Sequence, residues 1–351
     1  MTRVDLVGEA DATPVRWGMV GTGHMASVLA AEFASLPTTE VRLLAIAGRN
    51  AERTAAFAAA HDIARTYHDI EALARDPDID ALYIATPHTL HYECLLAAIE
   101  AGKAVLCEKP FTLNARQAAE VIALAHRRGV FVMEAMWTRF LPAIAALREL
   151  VAAGTLGRIE LLVGGGAFMP DRHGGHYLFD PHRGGGVLLD AGVYLVSLSS
   201  MLLGQPRRIQ AAGRLGDSGV DEQDAWLFEH ACGAMASLYV SLHARRSPDL
   251  EILGDAGRIR IAAPVFRPTR LHLWDQQGNE QLREYPITGS GYGYQVRAVN
   301  QALLHGQSES PVMPLDETLT IMQTLDSIRE QMGLIYPAET GATRKGNAPC
   351  P

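Results

Sequence analysis

The sequence predicts an α/β protein: an N-terminal doubly wound parallel sheet, then a C-terminal α+β domain with a large, mainly antiparallel open sheet. Three observations predict it. A short apolar run, residues 15–20, leads into Gly21-x-Gly23-x-x-Ala26, the spacing of a dinucleotide-binding turn. Apolar runs and helical stretches then alternate to about residue 136, as a parallel sheet covered by helices on both faces requires. From residue 158 the pattern turns to period-two alternation, clearest where Ala236, Leu238, Val240 and Leu242 interleave with Ser237, Tyr239, Ser241 and His243. The chain therefore divides into an extension over 1–14, a nucleotide-binding domain over 15–136, a second domain over 137–335 and a tail over 336–351 whose Gly-, Pro- and Thr-rich residues after Tyr336 read as mobile.

Each element has its own signal. In the glycine turn the first glycine makes the sharp bend, the second lets backbone approach a pyrophosphate, and Ala26 lets helix and strand pack closely. A helix over 24–36 follows, whose N-terminus favours an anion. Residues 41–47, apolar with one Arg, read as a strand buried on both faces, and alanine-rich 51–60 as a helix. Residues 80–85 and 104–107 are further buried strands, separated by a helix from about 88 to 101 that Gly102 ends. Asn114 with Gln117 three residues on predicts a capping box for a helix that Gly129 terminates, and 130–134 closes the set. In the second domain, residues 254–257 and 276–279 are hairpin turns, and Leu319, Met322, Leu325, Ile328 and Met332 form one apolar helical stripe.

Composition excludes several classes of function. With 351 residues, 48% of them hydrophobic, the chain can bury two cores. A net charge of -8 with only isolated Arg pairs argues against nucleic acid. Cys94, Cys107, Cys232 and Cys350 show no paired spacing, which predicts reduced thiols and a cytoplasmic protein. No signal-like segment and no uncharged apolar run of spanning length predicts no membrane. No metal is expected either, because His88/His91 and His173/His176 lack acidic or cysteine neighbours at a ligand spacing.

The candidate cofactor site follows from strand ends. The strand at 41–47 ends Ala47-Gly48-Arg49-Asn50, with no acid to hold an NAD ribose and with Arg49 placed for the 2'-phosphate of NADP. NADP is therefore expected over NAD. Its contacts are sought at Gly21, Thr22, Gly23, His24 and Met25 in the turn, at Arg49, at Thr86 and His88, and at Glu108 and Lys109. Cys107-Glu108-Lys109-Pro110 directly follows a buried strand, so the Lys109 amine sits at the ligand-binding rim, where desolvation would lower its pKa. In Gly184-Gly185-Gly186-Val187-Leu188-Leu189-Asp190-Ala191-Gly192-Val193-Tyr194, a helix starting near Leu188 puts Asp190 and Tyr194 on one face.

With these motifs the chain resembles the glucose-fructose oxidoreductase, inositol dehydrogenase and rhizopine-catabolism family (Gfo/Idh/MocA), over residues 15–332. Lys109 and Asp190 stand at that family's catalytic and substrate-binding positions. Most members carry His where Tyr194 stands; this departure, with Met133-Glu134-Ala135-Met136-Trp137-Thr138-Arg139-Phe140, is similar to the branch of dimeric dihydrodiol dehydrogenase, NADP-dependent xylose dehydrogenase and glucose-fructose oxidoreductase. The resemblance implies a Rossmann domain, a cis Lys109-Pro110 bond and a homodimer through the C-terminal sheet, whose outer face is also too weakly charged for a fully solvated surface. It implies reversible hydride transfer between nicotinamide and a hydroxyl-bearing carbon of a sugar, polyol or cyclic trans-diol. Tyr194 is then the acid/base, Lys109 lowers its pKa, Asp190 binds a neighbouring hydroxyl, and His91, Trp137 and Arg139 are expected either to line the pocket or to hold the structure around it. Two alternatives stand beside it: Lys109 as the proton carrier, and a non-catalytic NADP-binding sensor of the same fold, which has no need of Lys109, Asp190 and Tyr194 together.

Overall fold

The apolar run before the glycine turn forms β1 (Val15–Val20), with Trp17 and Met19 fully buried. Helices and strands then alternate in the computed structural model, which describes residues 14–171, 176–245 and 249–340. They are α1 (His24–Ser35), β2 (Val41–Ala47), α2 (Ala51–Ala60), β3 (Arg65–Tyr67), α3 (Ile70–Ala74), β4 (Ala81–Ile84), α4 (His91–Glu100), β5 (Ala104–Glu108), α5 (Ala115–Arg128) and β6 (Val132–Ala135). All six strands are parallel, in the order β3-β2-β1-β4-β5-β6. The order reverses between β1 and β4, and the crevice beyond their carboxyl ends is where such sheets bind ligands.

Local differences from expectation have local causes. β3 is three residues of mixed polarity, too short for an apolar run to announce it. The helix expected from 88 begins at His91, because residues 88–90 after Pro87 make a single tight 3-10 turn. The capping box at Asn114 is half made: Asn114 Oδ1 accepts from Gln117 N at 3.0 Å, but Gln117 Oε1 accepts from Leu113 N. Gly129, at φ 64° and ψ 30°, stops α5 as predicted.

After α6 (Pro142–Ala152) the chain lays down β7 (Ile159–Ala167), α7 (Val193–Leu203), β8 (Pro206–Leu215), β9 (Asp221–His230), β10 (Met235–Ser241), β11 (Leu250–Gly254), β12 (Gly257–Ile261), β13 (Arg270–Asp275) and β14 (Glu280–Glu284). These strands form one sheet in the order β14-β13-β12-β11-β7-β10-β9-β8, antiparallel except for the β7 and β10 pair. Both predicted hairpin turns join neighbours, β11 to β12 and β13 to β14. Period-two burial in β10 sends Ala236, Leu238 and Val240 inward and leaves Tyr239 outside.

Two last helices tie the sheets together. In α8 (Gly293–Leu304), Asn300 Oδ1 accepts from the buried Trp17 Nε1 at 3.1 Å, and Glu32 of α1 accepts from Gly293 N at 3.1 Å. α9 (Leu315–Met332) packs on α5, α7 and β8 through Met322, Leu325 and Ile328, with Leu319 and Met332 at the half-buried margin of the stripe. The helical stretch Pro181–Leu203 is apolar and long enough to cross a membrane by length and composition, and 67% of its window is buried inside the protein, as in a core helix.

One expectation is corrected at the C-terminus. The stretch expected to be mobile after Tyr336 begins with held residues: Tyr336 itself is fully buried and its hydroxyl donates to Gly185 O at 2.7 Å, and residues 337–340 follow it into contacts of their own. Glu339 accepts from Arg329 Nη1 at 3.0 Å, Arg329 Nη2 at 2.9 Å and Asn114 Nδ2 at 2.9 Å. The rest of that tail, most of the N-terminal extension and His173 lie outside the described residues.

Candidate active site

The glycine turn has the shape that the chemistry asks of it. Gly21 sits at φ +107°, and a Cβ there would stand 2.4 Å from Ala85 O, just past the end of β4, so no other residue allows the bend. A Cβ on Gly23 would meet nothing within 4 Å. That open space lies at the N-terminus of α1, where Gly23 is the N-cap and no side chain occupies the cap position. Thr22, His24 and Met25 rim this space and Ala26 is fully buried beneath it, so the residues fit a bound pyrophosphate. At the end of β2, Arg49 is exposed and makes no hydrogen bond to any described residue. Arg53, one turn into α2, donates from Nε to Thr22 Oγ1 at 2.7 Å. A second guanidinium at this rim escaped the sequence analysis, although its place three residues after the Asn50 N-cap signals it.

Deeper in the crevice three predicted residues converge. The Lys109–Pro110 bond is cis, as the resemblance implies. Lys109 Nζ donates to Asp190 Oδ1 at 2.9 Å and to Asp190 O at 2.7 Å, and stands 5.1 Å from the centre of the Tyr194 ring. Asp190 lies in a π-helical turn, residues 188–192, that feeds into α7 and so presents its carboxylate toward Lys109 from the helix that carries Tyr194. Tyr177 also donates to Asp190 Oδ1, at 2.7 Å, which leaves Oδ2 without a partner among the described residues. Trp137 Nε1 donates to the Tyr194 hydroxyl at 3.0 Å, and its ring stacks on Tyr292 with centroids 4.1 Å apart.

Burial and charge set the protonation states. Burial works to lower the pKa of Lys109, but Asp190, Tyr194 and Tyr177 outweigh it and hold the ammonium well above the usual lysine range. The lowered lysine expected from desolvation alone is thus corrected by its counter-ion. Burial lifts Asp190, and Lys109 and Tyr177 more than reverse this, so it is ionised. Burial pushes Tyr194 up to about 12, against the pull of Lys109 and the Trp137 hydrogen bond, so it is a neutral phenol at pH 7. Tyr177 and Tyr292 are raised too, chiefly by burial.

The remaining predicted residues divide. His88 is close: its Nδ1 lies 2.8 Å from Gly184 O, its ring meets Tyr177 edge-on, and burial lowers it to about 3. A neutral ring bonded to a carbonyl through Nδ1 carries its proton there, so Nε2 is an acceptor. Glu108 is buried and its Oε1 accepts from Tyr83 at 2.5 Å. Thr86, at the end of β4, offers its carbonyl to His91. His91 itself is fully buried, with Nδ1 2.9 Å from Pro110 O and Nε2 3.0 Å from Thr86 O, and joins the ends of β4 and β5 rather than lining a pocket. Arg139 is also corrected. It is 1% exposed and all five N–H groups are used within the protein, on Ser197 Oγ, Ser197 O, Val312 O and both oxygens of Glu317. It has no donor left for a substrate.

Tyr177, at the start of the short 3-10 turn Tyr177–Phe179, and Tyr292, directly before α8, are not singled out by the sequence, because no periodicity reveals how the chain runs through the segments 168–182 and 290–294 that shape the pocket. Among the described residues no group of His, Cys, Asp and Glu is arranged to hold a metal ion.

The chain is similar to known proteins. Residues 15–136 match the oxidoreductase family with an NAD-binding Rossmann fold, and residues 144–260 match the Gfo/Idh/MocA C-terminal domain. The chain is 36% identical over 333 residues to trans-1,2-dihydrobenzene-1,2-diol dehydrogenase of Bos taurus, covering 93% of this chain and 99% of the relative. It is 35% identical over 332 residues to the Homo sapiens protein of that name, with 93% and 99% covered. A 3-ketoreductase from Actinomadura kijaniata, solved with NADP and TDP-benzene, has a TM-score of 0.80 at 26% identity over 91% of this chain and 98% of that one.

Proposed function

The chain belongs to the Gfo/Idh/MocA oxidoreductase family, and on that premise we propose that it moves a hydride reversibly between NADP(H) and a hydroxyl-bearing carbon of a sugar, polyol or cyclic trans-diol. The observation that carries the proposal is the position of Lys109, paired with the Asp190 carboxylate and facing the Tyr194 ring. The diol name of the curated relatives and the NADP of the ketoreductase support it.

The nicotinamide, when bound, takes the hydride in oxidation and returns it in reduction. The chain's own groups handle the proton. Because an indole N–H only donates, Trp137 occupies a lone pair of the Tyr194 oxygen and leaves the phenol O–H free to face a substrate oxygen. In reduction Tyr194 gives that proton up; in oxidation it takes one, as a phenolate stabilised by Trp137 and by the Lys109 charge. Lys109 is the poorer proton carrier because Asp190 holds its proton tightly. Asp190 Oδ2 accepts from the hydroxyl next to the reacting carbon, which orients an adjacent diol.

Arg49 and Arg53 at the turn support a preference for NADP over NAD, as two guanidinium groups suit a 2'-phosphate. The nucleotide domain is assigned to 15–136 and the substrate domain to 137–335. On the outer face of the second sheet Leu227, Met235 and Tyr239 are each 42% exposed, which supports a sheet-to-sheet homodimer. Free thiols at Cys94, Cys107 and Cys232 suit a reducing cytoplasm.

The test is to incubate the protein with NADP and a panel of aldoses, inositols and trans-1,2-dihydrobenzene-1,2-diol while following the absorbance of reduced nicotinamide. Turnover with one of these classes supports the proposal. Bound NADP with no turnover across the panel overturns it in favour of a sensor.

A further inference from the structure

The turn that carries Asp190 hangs from two sheet residues that the proposed chemistry does not use. The register between β8 and β9 shifts by one residue: Leu215 pairs with Asp221 whereas Arg214 pairs with Gln223. Alternation along a regular strand would send Asp221 and Asp224, three apart, to opposite faces. The shift removes one step of that alternation and brings them together. Asp221 is 0% and Asp224 1% exposed.

Asp221 Oδ2 accepts from Leu188 N at 2.6 Å, at the start of the π-helical turn that holds Asp190. Its Oδ1 occupies space that only a glycine leaves, since a Cβ on Gly186, at φ +112°, would lie 1.9 Å from it. Asp221 Oδ1 and both oxygens of Asp224 have no donor among the described residues, yet the two side chains are within hydrogen-bond reach of each other. Two dry carboxylates so close do not both ionise. One proton on Asp224, donated to Asp221, gives these acceptors their donor and leaves a single charge facing the amino end of a helical turn, where it is favoured.

We propose that Asp221 and Asp224 are a proton-sharing acid–carboxylate pair that positions the Asp190 turn. Burial and the Asp221 charge push Asp224 up to about 10, in keeping with its holding the proton. The groups around the pair do not compete for it. The turn contributes backbone N–H, and β8 and α9 contribute Gly213 and the Met332 sulfur. The C-terminal segment contributes Tyr336, a phenol that burial and Asp221 keep protonated and that donates to Gly185 O. Beyond it, Arg329 is held by Asp326 and Glu339.

The kinetic arm of the test rests on Asp190 as the substrate-binding carboxylate; the thermal arm does not. In the unfolded chain Asp224 loses its proton at an ordinary carboxylate pKa, whereas the folded chain keeps it. The pair's contribution to stability is therefore complete at acid pH and falls as pH rises toward the folded value. Asp224→Asn keeps a donor toward Asp221 and removes the proton. Its melting temperature, relative to the unsubstituted protein, should rise by several degrees between about pH 5 and about pH 9. Asp221→Ala leaves Leu188 N–H without its acceptor. It should raise KM for trans-1,2-dihydrobenzene-1,2-diol about tenfold with the Kd of NADPH unchanged. Asp221→Asn, whose carbonyl can still accept from Leu188 and whose amide can donate to an ionised Asp224, should restore KM and abolish the pH-dependent part of the melting temperature. It also serves if the alanine variant does not fold. A melting difference for Asp224→Asn that is constant across pH overturns the shared proton, and an unchanged KM in Asp221→Ala overturns the positioning role. Failure of the diol as a substrate counts against the proposed function alone, and the melting series still decides whether the proton is shared.

Discussion

Trp137 Nε1 donates a 3.0 Å hydrogen bond to the hydroxyl of Tyr194, so the phenol proton is directed away from the indole. In the proposed chemistry this bond sets the direction in which Tyr194 exchanges its proton. With Tyr194 pushed up to about 12 by burial, the phenol is ready to act as an acid and scarce as a base. The oxidation rate should therefore rise about tenfold per pH unit from pH 7 to pH 10, while reduction stays nearly flat. Tyr194→Phe should lower both rates by about 10² to 10⁴ and remove the slope. A flat oxidation profile in the unsubstituted protein would show that Tyr194 is not the base.

Tyr177 makes its contribution through Asp190 Oδ1 at 2.7 Å. A hydrogen bond to a charged group contributes about 1.5–3 kcal/mol, so Tyr177→Phe should raise the KM of the organic substrate by roughly 10- to 100-fold. The affinity for NADPH, titrated by fluorescence, should not change. Equal loss of both affinities would place Tyr177 in the cofactor site.

Cofactor choice is tested at the rim of β2. Arg49→Ala should weaken NADP by about 1.5–3 kcal/mol and leave NAD nearly unaffected, with Arg53→Ala acting in the same direction. An aspartate in place of Gly48 is a less clean test, because its Cβ would stand 2.4 Å from Thr54 Oγ1. If Arg49→Ala weakens both cofactors alike, the 2'-phosphate assignment fails.

Arg139 separates a structural role from a binding one. Its guanidinium bridges Ser197 and Glu317, the latter through contacts of 2.6 and 2.7 Å. Arg139→Met strands the Glu317 charge and should cost about 3 kcal/mol, the low end for a broken buried pair because Glu317 keeps some solvent. Denaturant melts should show this loss while KM stays within about twofold. A raised KM with unchanged stability would return Arg139 to the pocket.

Much of the backbone is legible in the order of the amino acids. The parallel sheet, the bend at Gly21, the stop at Gly129 and both hairpins depend on residues close together in the chain, where periodicity and backbone freedom act directly. So does the rim position of Lys109, which follows from β5 ending at Glu108. Tertiary structure alone decides what these groups do with one another. Desolvation of Lys109 can be foreseen, but Asp190, 81 residues away, reverses its effect. The sequence leaves Arg139 open between a pocket role and a structural one, and Glu317, 178 residues on, decides it by taking the charge. Tyr336 belongs to an unpatterned segment, and Gly185, 151 residues earlier, accepts from its hydroxyl. Local sequence determines which backbone conformations are open, whereas a side chain's charge and hydrogen bonds depend on partners that only the packed chain brings within about 3 Å.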